Sequence, residues 1–237
     1  MRYLLGRLAG PSLGLALGLA LAAAASPLLG QPSKDQQGVL RIEVEGKVVG
    51  TERYQIVHAG STIRAQAEIR LEVAGETVRQ NTSLVLSRNY ELLSYEWRLE
   101  KPRKSFVRIR MVDGRARVIF PRPDGKEEEQ QFDFGTDRMA LLDNNVFHHY
   151  LLLAHLYDAE KGGPQTIRVF VPQSVQPGVV TVEAKGVETV EVNGKKFLAR
   201  RLEITTEDNQ VLLWISDEKG IVRLQVPQSH VIVQLQD

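Results

Sequence analysis

The sequence contains no cysteine. That single absence removes disulfides, thiolate metal sites, a cysteine nucleophile and a lipid-modified N-terminal cysteine together. Aromatic residues are few, at 6%, and neither sign of charge dominates, with 30 lysines and arginines against 29 acids. A chain so balanced has no global attraction to nucleic acid or to an anionic membrane, although local patches remain open to it. Dense catalytic motifs are missing too. No HExxH is present, no serine sits at a strand-to-helix nucleophile elbow, and no glycine-rich phosphate loop follows a strand. The expectation is a non-enzymatic protein with no catalytic residue, metal or cofactor, held together by its core alone.

What is present begins with an export signal. Arg2 and Arg7 are followed by an uncharged stretch from Leu8 to Ser33, whose centre over 13–25 is a Leu/Ala/Gly tract. Small residues Ala23 and Ala25 form an A-x-A site, so residues 1–25 read as a signal peptide cleaved before Ser26, with Gly30 before Gln31 as a second site. A retained anchor is the competing reading, because the run exceeds the roughly 20 residues that cross a bilayer. Gly10, Pro11, Ser12, Gly14 and Gly18 count against a stable span. Cleavage removes two arginines and no acid, leaving the exported chain close to neutral. The expected location is periplasmic or secreted, with only peripheral membrane contact after cleavage.

Residues 26–37 (SPLLGQPSKDQQ) lack periodicity and read as a flexible leader, ahead of a single β-rich domain over 38–237. From Val39 the pattern has period two. Ile63, Ala65, Ala67, Ile69, Leu71 and Val73 alternate with Arg64, Gln66, Glu68, Arg70 and Glu72, which specifies a strand with one buried and one wet face. Turn pairs recur between such runs: Gly60-Ser61, Ala74-Gly75, Asp113-Gly114, Asp124-Gly125, Asn193-Gly194, Asp208-Asn209 and Lys219-Gly220. A two-residue loop at Asn193-Gly194 would set Glu191 opposite Lys196 and Val190 opposite Phe197, both favourable cross-strand pairs.

One segment, about 137–160, breaks this pattern. Met139, Leu142, Val146, Phe147, Tyr150, Leu151, Ala154 and Tyr157 follow helical spacing, with Asp137 or Asp143-Asn144 as N-caps and Gly162 as a stop. One or two helices are expected there, with about eight strands before and about six after. The segment also holds His148, His149 and His155, three of the five histidines. About 10 Å of helix axis separates His148 from His155, too far for both to bind one metal ion without a bridge. His155 and Asp158 are close enough to share a site, but two ligands do not make one, and polar residues on a helix packed against a sheet are the plainer reading.

A basic hairpin is the second feature. Pairing Val112 with Arg115 across Asp113-Gly114 sets Arg110 opposite Arg117 and Arg108 opposite Ile119, so Arg108, Arg110, Arg115 and Arg117 share one face. Like charges directly opposed want counterions, which Glu96, Glu100 and Glu127 to Glu129 can supply as an exposed ion lattice. The sharper reading is an anion-binding face for phospholipid head groups or envelope polyanions. Trp97 and Trp214 fall in apolar strand runs and read as core.

The C-terminal stretch has a recognisable grammar. Gly-Val-Glu-Thr-Val-Glu-Val over 186–192 precedes Asn193-Gly194, then Lys196-Phe197-Leu198-Ala199, then Val211-Leu212-Leu213-Trp214-Ile215 ahead of Gly220-Ile221-Val222-Arg223. Together with Leu84 to Trp97, which includes Tyr90 and Ser94-Tyr95-Glu96, it resembles secreted bacterial β-rich families of unknown function, and more broadly the periplasmic lipoprotein-carrier superfamily. That resemblance implies an open antiparallel barrel whose concave apolar face is covered by helices and can receive acyl chains, and it carries over no catalytic residue.

The fold expected is thus all-β and mainly antiparallel, a curved sheet or half-open barrel with one helical segment on its concave side. Two functions are expected to compete. In the first, the concave face carries a lipophilic molecule, with Phe147, Tyr150, Leu151, Ala154 and Tyr157 lining the cavity. The alternative is an envelope protein that docks a protein or polyanion through strand edges or the arginine face.

Overall fold

Period-two alternation over nearly the whole chain becomes a single sheet in the computed structural model, which describes residues 35–134, 138–207 and 209–236. Its strands are β1 (Gln36–Val44), β2 (Lys47–Ala59), β3 (Thr62–Val73), β4 (Glu76–Ser87), β5 (Leu92–Lys101), β6 (Ser105–Val112), β7 (Arg115–Pro121) and β8 (Glu127–Phe132). After a short β9 (Met139–Leu141) and a helix α1 (His148–Ala154) come β10 (Gln165–Val171), β11 (Gln176–Val192), β12 (Lys195–Thr205), β13 (Gln210–Ser216), β14 (Gly220–Val226) and β15 (Val231–Gln236). The signal peptide and residues 26–34 of the leader lie outside the described residues. Gln36 and Gln37 already pair with Ile56 and Gln55, so the sheet starts slightly before the expected boundary.

The strand order is β8-β7-β6-β5-β4-β3-β2-β1-β15-β14-β13-β12-β11-β10-β9. The first and last strands therefore meet in the middle, where Leu40 faces Leu235 and Ile42 faces Val233. All pairings are antiparallel except β9 with β10. Tight turns fix the register: Ala74-Gly75, Asp113-Gly114 and Asn193-Gly194 each place both residues at positive φ, the geometry whose twist matches flanking strands. Glu191 does face Lys196, and Val190 faces Phe197.

A sheet with one oily face must bury it, and this one curls so that its two ends approach. Phe132 at the end of β8 meets Phe170 of β10 at 5.2 Å between ring centroids, and Phe134 meets the same ring at 5.1 Å. Arg168 Nη1 donates to the Phe134 carbonyl at 2.8 Å, holding that seam. β8, an outer strand of the sheet, carries Glu127, Glu128 and Glu129, charges that discourage pairing with a foreign strand. The core runs from Leu40 to Val233 and includes Leu151, Leu153 and Ala154 of α1, so the helix lies against the concave side as expected.

The helical segment is shorter than its spacing suggests. Met139–Leu141 is a strand parallel to β10, and only His148–Ala154 is α-helical. All three residues of β9 are buried, and a short run buried on every side has no period by which to tell strand from helix. The N-cap is Phe147, without a side-chain cap bond, in place of Asp143 or Asn144; Asp137 lies outside the described residues. Gly162 sits beyond the helix, in a turn at φ 62°. No helix of the described residues is long and apolar enough to cross a membrane.

A repeat also emerges. Val171-Pro172-Gln173-Ser174 and Val226-Pro227-Gln228-Ser229 form the same one-turn 3-10 link, each ending in a left-handed residue, Val175 and His230. One joins β10 to β11, the other β14 to β15.

Candidate functional site

Three places gather polar side chains: a sealed network inside the sheet, a groove with an arginine row on its outward face, and a donor cluster around Tyr90 and His155.

The sealed network pins α1 to the sheet. Glu52 lies on the inward side of β2 with Tyr54 and Ile56, and is wholly buried. Its carboxylate accepts the Phe147 N–H at 2.6 Å and the His148 N–H at 2.9 Å, and sits 2.7 Å from His148 Nδ1. A carboxylate has no proton to give, so Nδ1 carries the hydrogen. Tyr95 of β5 donates to Asp143 Oδ2 at 2.6 Å, while Asp143 Oδ1 accepts the backbone N–H groups of Asn144 and Gln173. Trp97 Nε1 donates to Gln80 Oε1 at 2.8 Å, and Gln80 Nε2 to the Asn145 carbonyl at 3.4 Å. Burial raises the Asp143 carboxyl above its usual range despite these bonds, and burial followed by the His148 charge holds His149 well below the usual imidazole range. His148 and His149 are both at 0% exposure, so nothing dissolved reaches them. This network is a staple. The sequence signal for it was a charge, Glu52, in phase with apolar inward residues.

The outward face is different. A groove of about 740 Å3 runs across β1 to β5 on this face. Two rows floor it: Val39, Arg53, Glu68, Asn81 and Arg98, then Gln37, Gln55, Gln66, Ser83 and Glu96. The second row continues to Arg108, which pairs with Glu96 in the ladder. Beside it runs a third row: Val57, Arg64, Val85, Ser94, Arg110, Arg117 and Gln131. That row contains no carboxylate.

The four hairpin arginines sit in the register the sequence implies, with Arg110 opposite Arg117, Arg108 opposite Ile119 and Arg115 opposite Val112. Their counterions are only partly those expected. Arg108 pairs with Glu127, and Arg117 lies 3.8 Å from Glu129. Glu96 is taken by Arg98 at 2.8 Å, and Glu100 accepts from Asn81 at 2.8 Å. Arg53, Arg64, Arg110 and Arg115 form no ion pair among the described residues.

The helix residues are packed rather than open. Phe147, Leu151, Ala154 and Tyr157 are buried in the core and Tyr150 packs against it. The groove and the smaller pocket beside it at Thr51 and Arg70 are lined by none of these five. His155 and Asp158 are not brought together: the His155 ring packs at a tilt against that of Tyr90, and Asp158 Oδ1 caps its own turn by accepting the Glu160 and Lys161 N–H groups. No group of three or more potential metal ligands converges among the described residues. Both tryptophans are core as expected, Trp97 in the main cluster and Trp214 in a second one with Val190, Val192, Ala199 and Val222, its Nε1 donating to Glu188.

These features define a class, the β-barrel-like proteins built on one open, curled antiparallel sheet. Among solved structures the chain is similar to a β-barrel-like protein of a domain of unknown function, DUF1849, from Brucella abortus, with 10% identity and a TM-score of 0.56 over 85% of this chain and 94% of that one. It is also similar to a DUF1089-family protein from Pseudomonas aeruginosa, with 13% identity and a TM-score of 0.42 over 75% of this chain and 90% of the other. At 10% identity the first likeness is one of fold, and it agrees with the barrel-like, β-rich part of the resemblance drawn from sequence. No family model and no curated protein matches the chain.

Proposed function

We propose that this is an exported, non-catalytic protein of the cell envelope that docks a polyanionic partner on its outward face. The observation that carries this reading is the row Arg64, Ser94, Arg110 and Arg117, which has no carboxylate in it and flanks a groove of about 740 Å3. Strands lie about 4.8 Å apart, so Arg110 and Arg117 present guanidinium groups at close quarters, with Arg64 about 14 Å away across three strand spacings. Guanidinium groups set out along one row suit phosphate or carboxylate groups repeated along a polymer or a lipid surface, binding each in a two-pronged fashion. Amides from Gln55, Gln66 and Asn81 in the adjoining groove add neutral hydrogen-bonding partners for sugar or glycerol hydroxyls.

Export rests on the signal-peptide layout of residues 1–25, and absence of catalysis on the lack of any reactive constellation in the sequence. A lipophilic cargo in the concave face, the role implied by the lipoprotein-carrier resemblance, requires α1 to leave the core it fills and the Glu52 bonds to break. The outward face needs no such rearrangement.

The test is co-sedimentation of the protein without residues 1–25 with vesicles containing anionic phospholipid, set beside zwitterionic vesicles and soluble polyphosphate. Binding to at least one anionic target is expected, falling with salt and weakened about tenfold or more when Arg110 and Arg117 are both replaced by Ala. Equal binding to zwitterionic vesicles, or salt-insensitive binding, sinks the reading.

A further inference from the structure

At one end of the sheet interior, four segments far apart in sequence bring together His58, Tyr90, His155 and Arg200, and all but His155 carry buried polar atoms with no hydrogen-bond partner in the fold. His58 stands near the end of β2, and both of its ring nitrogens are shut off from solvent without a hydrogen-bond partner. Its Nδ1 lies 3.8 Å from Asp35 Oδ1, beyond hydrogen-bond length, and that oxygen already accepts the His58 backbone N–H at 2.8 Å. Tyr90, in the turn between β4 and β5, is 5% exposed with an unpartnered hydroxyl. Arg200 of β12 has a buried, unpartnered Nε. Among them lies His155, at the end of α1, its ring 5.2 Å from that of Tyr90.

Two further observations set this cluster apart from an ordinary packing defect. Tyr90 adopts φ 63°, a conformation costly for a bulky side chain and concentrated at binding sites. The turn that carries it is anchored: Arg88 N–H donates to the Ser61 carbonyl at 3.1 Å, and the Arg88 side chain to the Gly60 carbonyl. The ring is therefore held in place against His155. Secondly, His155 feels Arg200 and His58 as positive neighbours; burial first, then these two charges, lower it to about 4. Asp217 is the acid that acts on Arg200 among the described residues.

We infer that the cluster of His58, Tyr90, His155 and Arg200 binds a small oxyanion, a carboxylate or phosphate group. A buried donor left without a partner is costly, and several at one place are relieved together by a single acceptor-only ligand. Imidazole, phenol and guanidinium groups all donate to an oxyanion, and the guanidinium repels a metal cation. The site lies on the inward side of the sheet, on strands and turns apart from the outward arginine row, and stands whether or not that row binds a polymer.

The test follows the imidazole proton resonances of His58 and His155 by NMR in the protein without residues 1–25, titrated separately with inorganic phosphate and with acetate. Saturable shifts of both rings with at least one anion are expected, and the arm that saturates at lower concentration identifies phosphate or carboxylate. Arg200→Gln is expected to weaken that binding about tenfold, and Tyr90→Phe several-fold, while Arg110→Ala leaves it unchanged. Should Arg200→Gln fail to fold, Tyr90→Phe alone decides. Overturning results are the absence of saturable shifts with either anion, as when water alone fills the cluster, or shifts that persist undiminished in the variants.

Discussion

Glu52 Oε1 lies 2.7 Å from His148 Nδ1, and neither side chain is exposed at all. A strand carboxylate thus performs the task usually left to a capping residue: it satisfies the Phe147 and His148 N–H groups that the first turn of α1 leaves free. The helix itself offers no side-chain cap and has no acid in its first turn. Glu52→Gln places an amide NH2 among three donors, and removing one member of a buried, hydrogen-bonded pair costs about 3–5 kcal/mol. Urea unfolding is expected to show a loss of about that size; a loss below about 0.5 kcal/mol would mean the staple is ornamental.

Acid should weaken the fold in a defined window. His149 and His155 are held neutral in the folded protein, His149 chiefly by burial and His155, by burial and then Arg200 and His58, down to about 4. Below the ordinary imidazole value of 6.5 the unfolded chain takes up protons that the folded one refuses, so stability falls as pH drops from 6.5. For His155 the loss levels off near pH 4, where the folded form protonates as well. Asp143 acts in the opposite sense: its raised folded value lets the folded chain bind a proton before the unfolded chain does, adding stability as pH falls toward 3.8. Unfolding free energies at about pH 7.5 and about pH 5 should differ, with a smaller difference in His155→Gln. Equal stability at both values contradicts the buried neutral imidazoles.

Gly220 and Tyr54 form a coupled pair. Gly220 has φ 68°, and a Cβ there would stand 2.7 Å from Tyr54 Oη and 3.2 Å from Leu151 Cδ2. Gly220→Ala is therefore expected to cost about 2–4 kcal/mol, from the left-handed conformation and from overpacking together. Tyr54→Phe removes the crowded oxygen. In a double-mutant cycle it should recover about 1 kcal/mol of the Gly220→Ala loss, and strict additivity would show that the clash is relieved elsewhere.

Opposed like charges give a prediction for stability as well as for binding. Arg110 faces Arg117 directly, and Arg110 has no ion pair among the described residues. Arg110→Thr should leave thermal stability unchanged or raise it by about 0.2–1 kcal/mol, because repulsion is removed and a strand-favouring residue added. A clear destabilisation would show that the arginine serves the fold rather than a partner.

Much of this architecture is legible in the sequence because hairpins are local. Asn193-Gly194 and Asp113-Gly114 fix their registers within a few residues, and alternation then assigns each side chain a face, so the turn alone dictates which side of the hairpin carries its arginines. The crossover was harder. Met139, Ala140 and Leu141 are buried throughout, so the helical spacing of Met139 with Leu142 does not distinguish a helix from a strand buried on both faces. Glu52 and Gln80 could have been flagged as polar residues in phase with Tyr54 or Leu84, but the partners that neutralise them, Phe147, His148 and Asn145, lie on a segment whose docking no local pattern encodes. The groove needed the coil of five strands together. His58, Tyr90, His155 and Arg200 are united only by tertiary closure, so no spacing rule finds them.

The outward face as a docking surface is tested most directly by arginine footprinting: modification of the protein with a guanidinium-specific dicarbonyl, with and without the anionic vesicle or polyphosphate that it binds, read residue by residue by mass spectrometry. Protection is expected at Arg53, Arg64, Arg110 and Arg117, with Arg201 and Arg223 of β12 and β14 labelled equally in both states. Unchanged labelling along β2 to β7, or protection confined to the β12 and β14 arginines, contradicts the assignment.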